Sequence, residues 1–255
     1  MFKRIIFALL FKDSNFYLSR NFRLQKVGDI NWLKNNFSFN ESLNTIDELV
    51  ILNVNRENCK KNMNNFIQMV NDLRKTIFIP ITIGGGINSS SDAKLYFENG
   101  ADKISISSNF NDVELIKSIS KEYGSQSISL ILDYKKIKKR NIIFINNGLK
   151  ESKNLNDFLK MKKLQSFVGD IIFNSIDNDG SGSGLDLKLI NILNKINNPI
   201  LLMGGAGKPE HFDLALKNSK ISGVVTANLF NFLGNGLKIT RDILFKNKIK
   251  IAKFK

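Results

Sequence analysis

The chain repeats itself once, and that repeat limits its fold more than any other feature. Ile83-Gly84-Gly85-Gly86 leads on to Ile104-Ser105-Ile106-Ser107-Ser108-Asn109-Phe110. An offset of 120 residues (83 to 203) brings Met203-Gly204-Gly205-Ala206, followed by Val224-Val225-Thr226-Ala227-Asn228-Leu229-Phe230. Each half thus carries an apolar run, a glycine turn, a helical segment and a second apolar run that ends in small polar residues. Two duplicated half-barrels would give this pattern, and an open doubly wound sheet would not need it. Eight short β-branched runs can be counted, at 5–10, 48–54, 78–83, 103–107, 128–133, 170–174, 199–203 and 222–227. Helical segments separate them, such as Met63 to Leu73 with Met63, Phe66, Ile67, Val70 and Leu73 on one face. Strand and helix alternating in this way predict a parallel sheet, and 255 residues suit one (β/α)8 TIM barrel, of roughly 250 residues, as a single domain over 1–255. A further strand-like stretch, Ile142-Ile143-Phe144-Ile145, predicts a β-hairpin insertion after strand five. Pro80, Pro199 and Pro209 fall at element starts, where a missing N–H is tolerated.

Composition removes several function classes. No apolar run approaches the roughly 18 residues of a membrane span, so the chain is expected to be soluble. Ile5 to Phe11 imitates the core of a signal peptide, but Lys12-Asp13 follows without a cleavage site, so it reads as a first buried strand. One cysteine, Cys59, allows no internal disulfide and suits a reducing cytoplasm. One histidine, His211, excludes His-rich metal sites, and neither a metal nor a cofactor is expected. The net charge of +15 suggests nucleic acid, yet the lysines are scattered. The one dense run, Lys135-Lys136-Ile137-Lys138-Lys139-Arg140, has no aromatics for base stacking and reads as a solvated loop.

The glycine turns carry the chemistry. Each lies just past a strand and just before a helix, where backbone can approach a phosphate and free helix N–H groups can hold the anion. A tight turn alone accounts for either copy; two copies in register point to a ligand with two phosphates. Expected contacts are Gly84, Gly85, Gly86, Ser107 and Ser108 at one rim. Asp179, Gly180, Ser181, Gly204 and Gly205 are expected at the other, although Asp177 to Gly184 also reads as a flexible surface loop.

These motifs resemble the cyclase subunit of imidazole glycerol phosphate synthase over nearly the whole chain. The resemblance rests on Lys3-Arg4-Ile5-Ile6, Val27-Gly28-Asp29, Asp47-Glu48-Leu49-Val50, Gly84-Gly85-Gly86-Ile87 and Gly100-Ala101-Asp102-Lys103-Ile104-Ser105-Ile106. Tyr123-Gly124-Ser125-Gln126-Ser127, Ser175-Ile176-Asp177-Asn178-Asp179-Gly180 and Gly204-Gly205-Ala206-Gly207-Lys208 complete it. It implies a glutaminase subunit docked on the bottom of the barrel, with ammonia passing through to a bis-phosphorylated ribonucleotide on top. Arg4, Glu48 and Lys103 match the family's charged ammonia gate, Asp170 replaces a glutamate there, and Asp102 matches a glutaminase-facing position. Four inward charges are costly unless paired, so a neutral ring of alternating sign is expected.

The family's cyclase reaction resembles an acid–base process using two aspartates. Asp133 matches the second; Leu10 stands at the first, and a leucine moves no proton. Sliding the alignment to Asp13 would shift the strand by three residues and reverse which side chains face inward. Leu18 replaces a substrate-binding lysine, Asn53 an aspartate and Asn228 a phosphate-loop serine. The stretch Ile6-Phe7-Ala8-Leu9-Leu10-Phe11-Lys12 is instead similar to a glycosyl-amidation-associated branch of surface-polysaccharide gene clusters. That branch implies an ammonia route kept, a cyclase reaction lost or changed, and a separate sugar amidotransferase as a further partner. The competing expectation is a working cyclase of histidine biosynthesis, rearranged around Asp133; a barrel that only activates its glutaminase is the third.

Overall fold

The computed structural model describes residues 2–36, 45–55, 62–227 and 235–253. Twelve strands follow in chain order: β1 (Arg4–Lys12), β2 (Asn15–Arg20), β3 (Arg23–Gly28), β4 (Glu48–Asn53), β5 (Ile81–Gly84) and β6 (Lys103–Ile106). The others are β7 (Ile128–Ile137), β8 (Arg140–Ile145), β9 (Lys150–Asn154), β10 (Asp170–Ser175), β11 (Ile200–Met203) and β12 (Ile221–Thr226). Eight of them form a closed parallel barrel in the order β1, β4, β5, β6, β7, β10, β11, β12. Pairing of β10 with β7, Asp170 opposite Ser129, completes the circle. The eight expected runs coincide with these eight strands. The third begins later than expected: Pro80 has no N–H to give, and Phe78 before it is 91% exposed.

Alternation along each strand sorts side chains into two cores. In β1, Ile5, Phe7 and Leu9 join the large core between sheet and helices, whereas Ile6 and Ala8 join a smaller cluster inside the barrel with Val50, Ile131, Ile172, Leu201, Met203 and Val225. This is the packed interior that a closed eight-strand sheet needs. The helix Met63–Arg74 covers the outside through Met63, Phe66, Met69, Val70 and Leu73, one apolar stripe. Asp112 caps the helix Val113–Tyr123 by accepting from Leu115 N at 3.0 Å, and Pro209 opens the helix Pro209–Leu216.

Two extensions stand on the C-terminal rim. The expected hairpin after the fifth barrel strand is present, β8 antiparallel to β7, and continues into β9. A second hairpin, β2 with β3, was not legible: its tip is Asn21-Phe22, both left-handed at φ 49° and 61°, and no glycine marks it. β1 and β7 lie four strands apart in either direction, hence on opposite walls of the barrel.

Candidate functional site

The N-terminal end of the barrel is closed by charge. Arg4, Glu48, Lys103 and Asp170 begin β1, β4, β6 and β10, and inward alternation brings their side chains to one point. Arg4 Nη1 lies 2.9 Å from Glu48 Oε2 and Nη2 lies 3.0 Å from Asp170 Oδ2. Lys103 Nζ lies 3.5 Å and 3.1 Å from the same two oxygens. Thr82 donates its hydroxyl to Glu48 Oε1 at 2.5 Å. Both carboxylates are about 5% exposed, a burial that opposes their charge. For Asp170, Lys103 and Arg4 outweigh that desolvation and hold the carboxyl below its usual range. Desolvation likewise opposes the Arg4 charge, and Asp170 and Glu48 overcome it. The expected alternating ring is therefore formed. Beside it, Asp102 Oδ2 accepts from Ile81 N at 2.8 Å and from Arg74 Nη2 at 2.6 Å, and its side chain remains 44% exposed.

The C-terminal end opens into a cavity of about 510 Å³. Asp133 and Leu10 both line it, from opposite walls. Asp133 is buried and accepts from Ser107 Oγ at 3.0 Å and from Asn174 Nδ2 at 2.8 Å. Desolvation, with a contribution from Asp179, pushes its carboxyl up to about 6, against the pull of those two hydrogen bonds. Such a group can give or take a proton near neutrality. Leu10 offers nothing in return. It is 6% exposed, and its register with Leu52 and Tyr17 fixes it in line with the inward set Arg4, Ile6 and Ala8. Asp13, the residue directly after Lys12, lies in the turn to β2 at φ 46° and is absent from the cavity wall.

Of the first rim, Gly85, Gly86, Ser107 and Ser108 line the cavity, while Gly84 packs under it against Ser105. Gly85 at φ +105° and Gly205 at +99° share one backbone geometry, as the repeat implies. A Cβ at either would stand 2.1 Å from a carbonyl oxygen, of Asn53 and Gly184 respectively. Turn packing alone thus demands glycine at both positions. Gly180, Ser181, Gly204 and Gly205 lie apart from this cavity, on a loop system tied by Gly184 N donating to Gly205 O at 2.9 Å. Asn228 lies outside the described residues. Asp179 faces the cavity, but its carboxylate holds the first hairpin, accepting from Ser19 Oγ at 2.5 Å and Phe22 N at 3.0 Å. Burial raises its pKa against those bonds. Ser108 Oγ accepts from Asn146 N at 3.0 Å and so fixes the loop after β8.

Three contributors escaped the sequence reading. Asn174, which positions Asp133, had a signal: it is an amide ending the apolar run Ile171-Ile172-Phe173, an even number of residues after Asp170. Ser19 and Phe22 belong to the unrecognised hairpin. Among the described residues no group of three or more His, Cys, Asp or Glu is placed to hold a metal, and no helix is long and apolar enough to cross a membrane.

Comparison with known proteins agrees with this architecture. Residues 34–235 match the family described as histidine biosynthesis protein. The chain is 42% identical over 94% of its length, and 89% of the relative's, to a Parasynechococcus marenigrum (strain WH8102) protein provisionally named imidazole glycerol phosphate synthase subunit hisF2. It is 33% identical to the imidazole glycerol phosphate synthase subunit HisF of Hydrogenobaculum sp. (strain Y04AAS1), over 98% of both chains. With the HisF subunit of Saccharolobus solfataricus the identity is 32% over 90% of both. Barrel, repeat and these matches together make the chain a member of the histidine biosynthesis protein family, of the HisF type of imidazole glycerol phosphate synthase cyclase subunit.

Proposed function

We propose that the chain, one barrel domain over 1–255 working in the cytoplasm, conducts ammonia and no longer performs the cyclase reaction. A glutaminase docked on the N-terminal face, at Asp102, would deliver ammonia to the ring of Arg4, Glu48, Lys103 and Asp170, which serves as the gate. Beside the ring, inward Thr82 gives its hydroxyl to Glu48 and Ser129 stands opposite Asp170, and Ser105 on β6 offers a hydroxyl at the cavity, while the opposite wall is apolar. At the mouth the glycine rims bind a phosphorylated ligand. Gly84, Gly85, Gly86, Ser107 and Ser108 take one phosphate; Gly180, Ser181, Gly204 and Gly205 take the other, with Asp179 keeping the first hairpin beside them. The ammonia then serves a separate amidotransferase acting on a surface-polysaccharide sugar.

One observation carries this reading: Leu10 faces Asp133 across the mouth. A base without a partner acid cannot complete a reaction that needs both, and such a group is worth about 10² to 10⁴-fold. The second reading, a working cyclase of histidine biosynthesis, draws on Asp133 itself, whose carboxyl near 6 suits proton transfer. A turnover assay with the bis-phosphorylated ribulosyl aminoimidazole carboxamide ribonucleotide and ammonium separates them. Little or no imidazole glycerol phosphate is expected. Turnover within about tenfold of a two-aspartate relative would establish the second reading instead.

A further inference from the structure

We infer that the face of the β7–β8 hairpin overlooking the barrel mouth is a docking surface for an acidic protein, the enzyme that consumes the ammonia. This rests on the proposed function, and it follows from a problem that function creates. Ammonia that reaches the mouth and meets no chemistry there would be protonated in open water, so its consumer must cover the mouth.

The hairpin is built for a protein partner at that place. Lys135 and Ile137 follow Asp133 at two-residue spacing and so share its side of β7. Their register partners across the hairpin are Ile142 and Arg140, and Phe144 stands opposite Asp133 itself. Ile137, Ile142 and Phe144 are half-buried, yet among the described residues they pack into neither core. Around them Lys135, Lys138, Lys139 and Arg140 are exposed, and none makes an ion pair with a described residue. Glu151, paired with Phe144 on β9, is the carboxylate alongside. Leu149 joins this patch to the mouth, since it lines the cavity and is still 67% exposed. An apolar centre within a charged rim is the anatomy of a protein interface, and cations with so little local compensation select an acidic counterpart. A lipid surface would also attract the lysines, but it would not receive ammonia.

The test uses the full chain with its glutaminase and an ammonia-accepting sugar amidotransferase, comparing wild type with Lys135→Glu/Arg140→Glu. Both positions are exposed, which spares folding. Amidation driven by glutamine should fall roughly tenfold or more, while amidation driven by ammonium chloride and the stimulation of glutamine hydrolysis stay unchanged. Added salt should reproduce the defect in wild type. Should wild type stimulate its glutaminase and the variant transfer ammonia equally well, the docking surface is overturned and the ammonia route stands. Should the variant lose only its sedimentation with phosphatidylglycerol vesicles, the patch is a membrane contact and the inference is likewise overturned. If wild type leaves the glutaminase unaffected, both this inference and the function beneath it fall.

Discussion

Replacing Asp133 by asparagine should make the protein more stable at pH 8 and leave it no more stable at pH 4. The sign follows from linkage. The folded carboxyl titrates at about 6, above its ordinary 3.8, because burial opposes its charge more than Ser107 and Asn174 support it. A carboxyl raised in this way favours the folded state fully below about pH 4, and that contribution is lost as pH rises through 6. The difference is about two pH units, and about 1.4 kcal/mol attends each, so the ionised group costs about 3 kcal/mol at pH 8.

Asparagine removes the charge and keeps the shape. Its Oδ1 can still accept from Asn174 Nδ2, and Ser107 can turn its hydroxyl to accept from the new amide. Imperfect bonding reduces the gain, and about 1 to 3 kcal/mol should remain. In a chain of this length that corresponds to roughly 2–4 °C in Tm per kcal/mol. Urea unfolding of both proteins at pH 4, 6 and 8 measures it. A variant less stable than wild type at pH 8, or a difference of equal size at all three values, would refute the reasoning. It would mean that Asp133 is held by its hydrogen bonds and is not strained by its burial.

Four other outcomes are expected. Leu10→Asp should raise imidazole glycerol phosphate formation above the wild-type trace in the turnover assay; no gain would show that Leu18 and Asn53 also block the reaction. Arg4→Met should destabilise by about 3 kcal/mol, since Glu48 and Asp170 would stay buried with Lys103 alone, and adding Asp170→Asn should recover much of the loss in denaturant titrations. Asp102→Lys should weaken the heterodimer and the stimulation of glutamine hydrolysis; because Asp102 also holds Ile81 N, a melting curve must show the barrel intact. Gly85→Ala and Gly205→Ala should each weaken a bisphosphate in calorimetric titration, and unchanged affinity in folded variants would assign both glycines to turn packing.

What the sequence revealed depended on how local the cause was. Eight strands were legible because strands buried on both faces are apolar almost throughout, as in Ile128 to Leu132. The ring was legible as four charges at strand starts, although only barrel closure brings Arg4 to Asp170, 166 residues away. The β2–β3 hairpin was not, because its strands are half-exposed and mixed in polarity and its tip uses Asn21-Phe22 in place of glycine. Asp179 illustrates the same limit. Its place in a glycine-rich loop suggested phosphate, but its carboxylate faces a hairpin 160 residues earlier, a contact no local pattern encodes.

The two ends of the barrel argue for the separation of transport from chemistry. A ring of two buried carboxylates and two half-buried cations adds little to stability, and an apolar plug of similar volume would do as well or better. The interior above it is already filled by Ile6, Val50, Ile172 and Val225, so the strands could have closed the bottom in the same way. The charged closure therefore suits a molecule that must enter, and entry has a use only if something at the far end consumes it. At that end Asp133 keeps its hydrogen bonds while Leu10 seals the opposite wall with hydrocarbon. Leu10 has no proton to exchange with Asp133 across the mouth, which is why the proposed function places the chemistry elsewhere. On the proposed function the consumer lies outside the barrel, and the exposed cations and unpacked apolar residues of the β7–β8 hairpin are the surface the inference assigns to it.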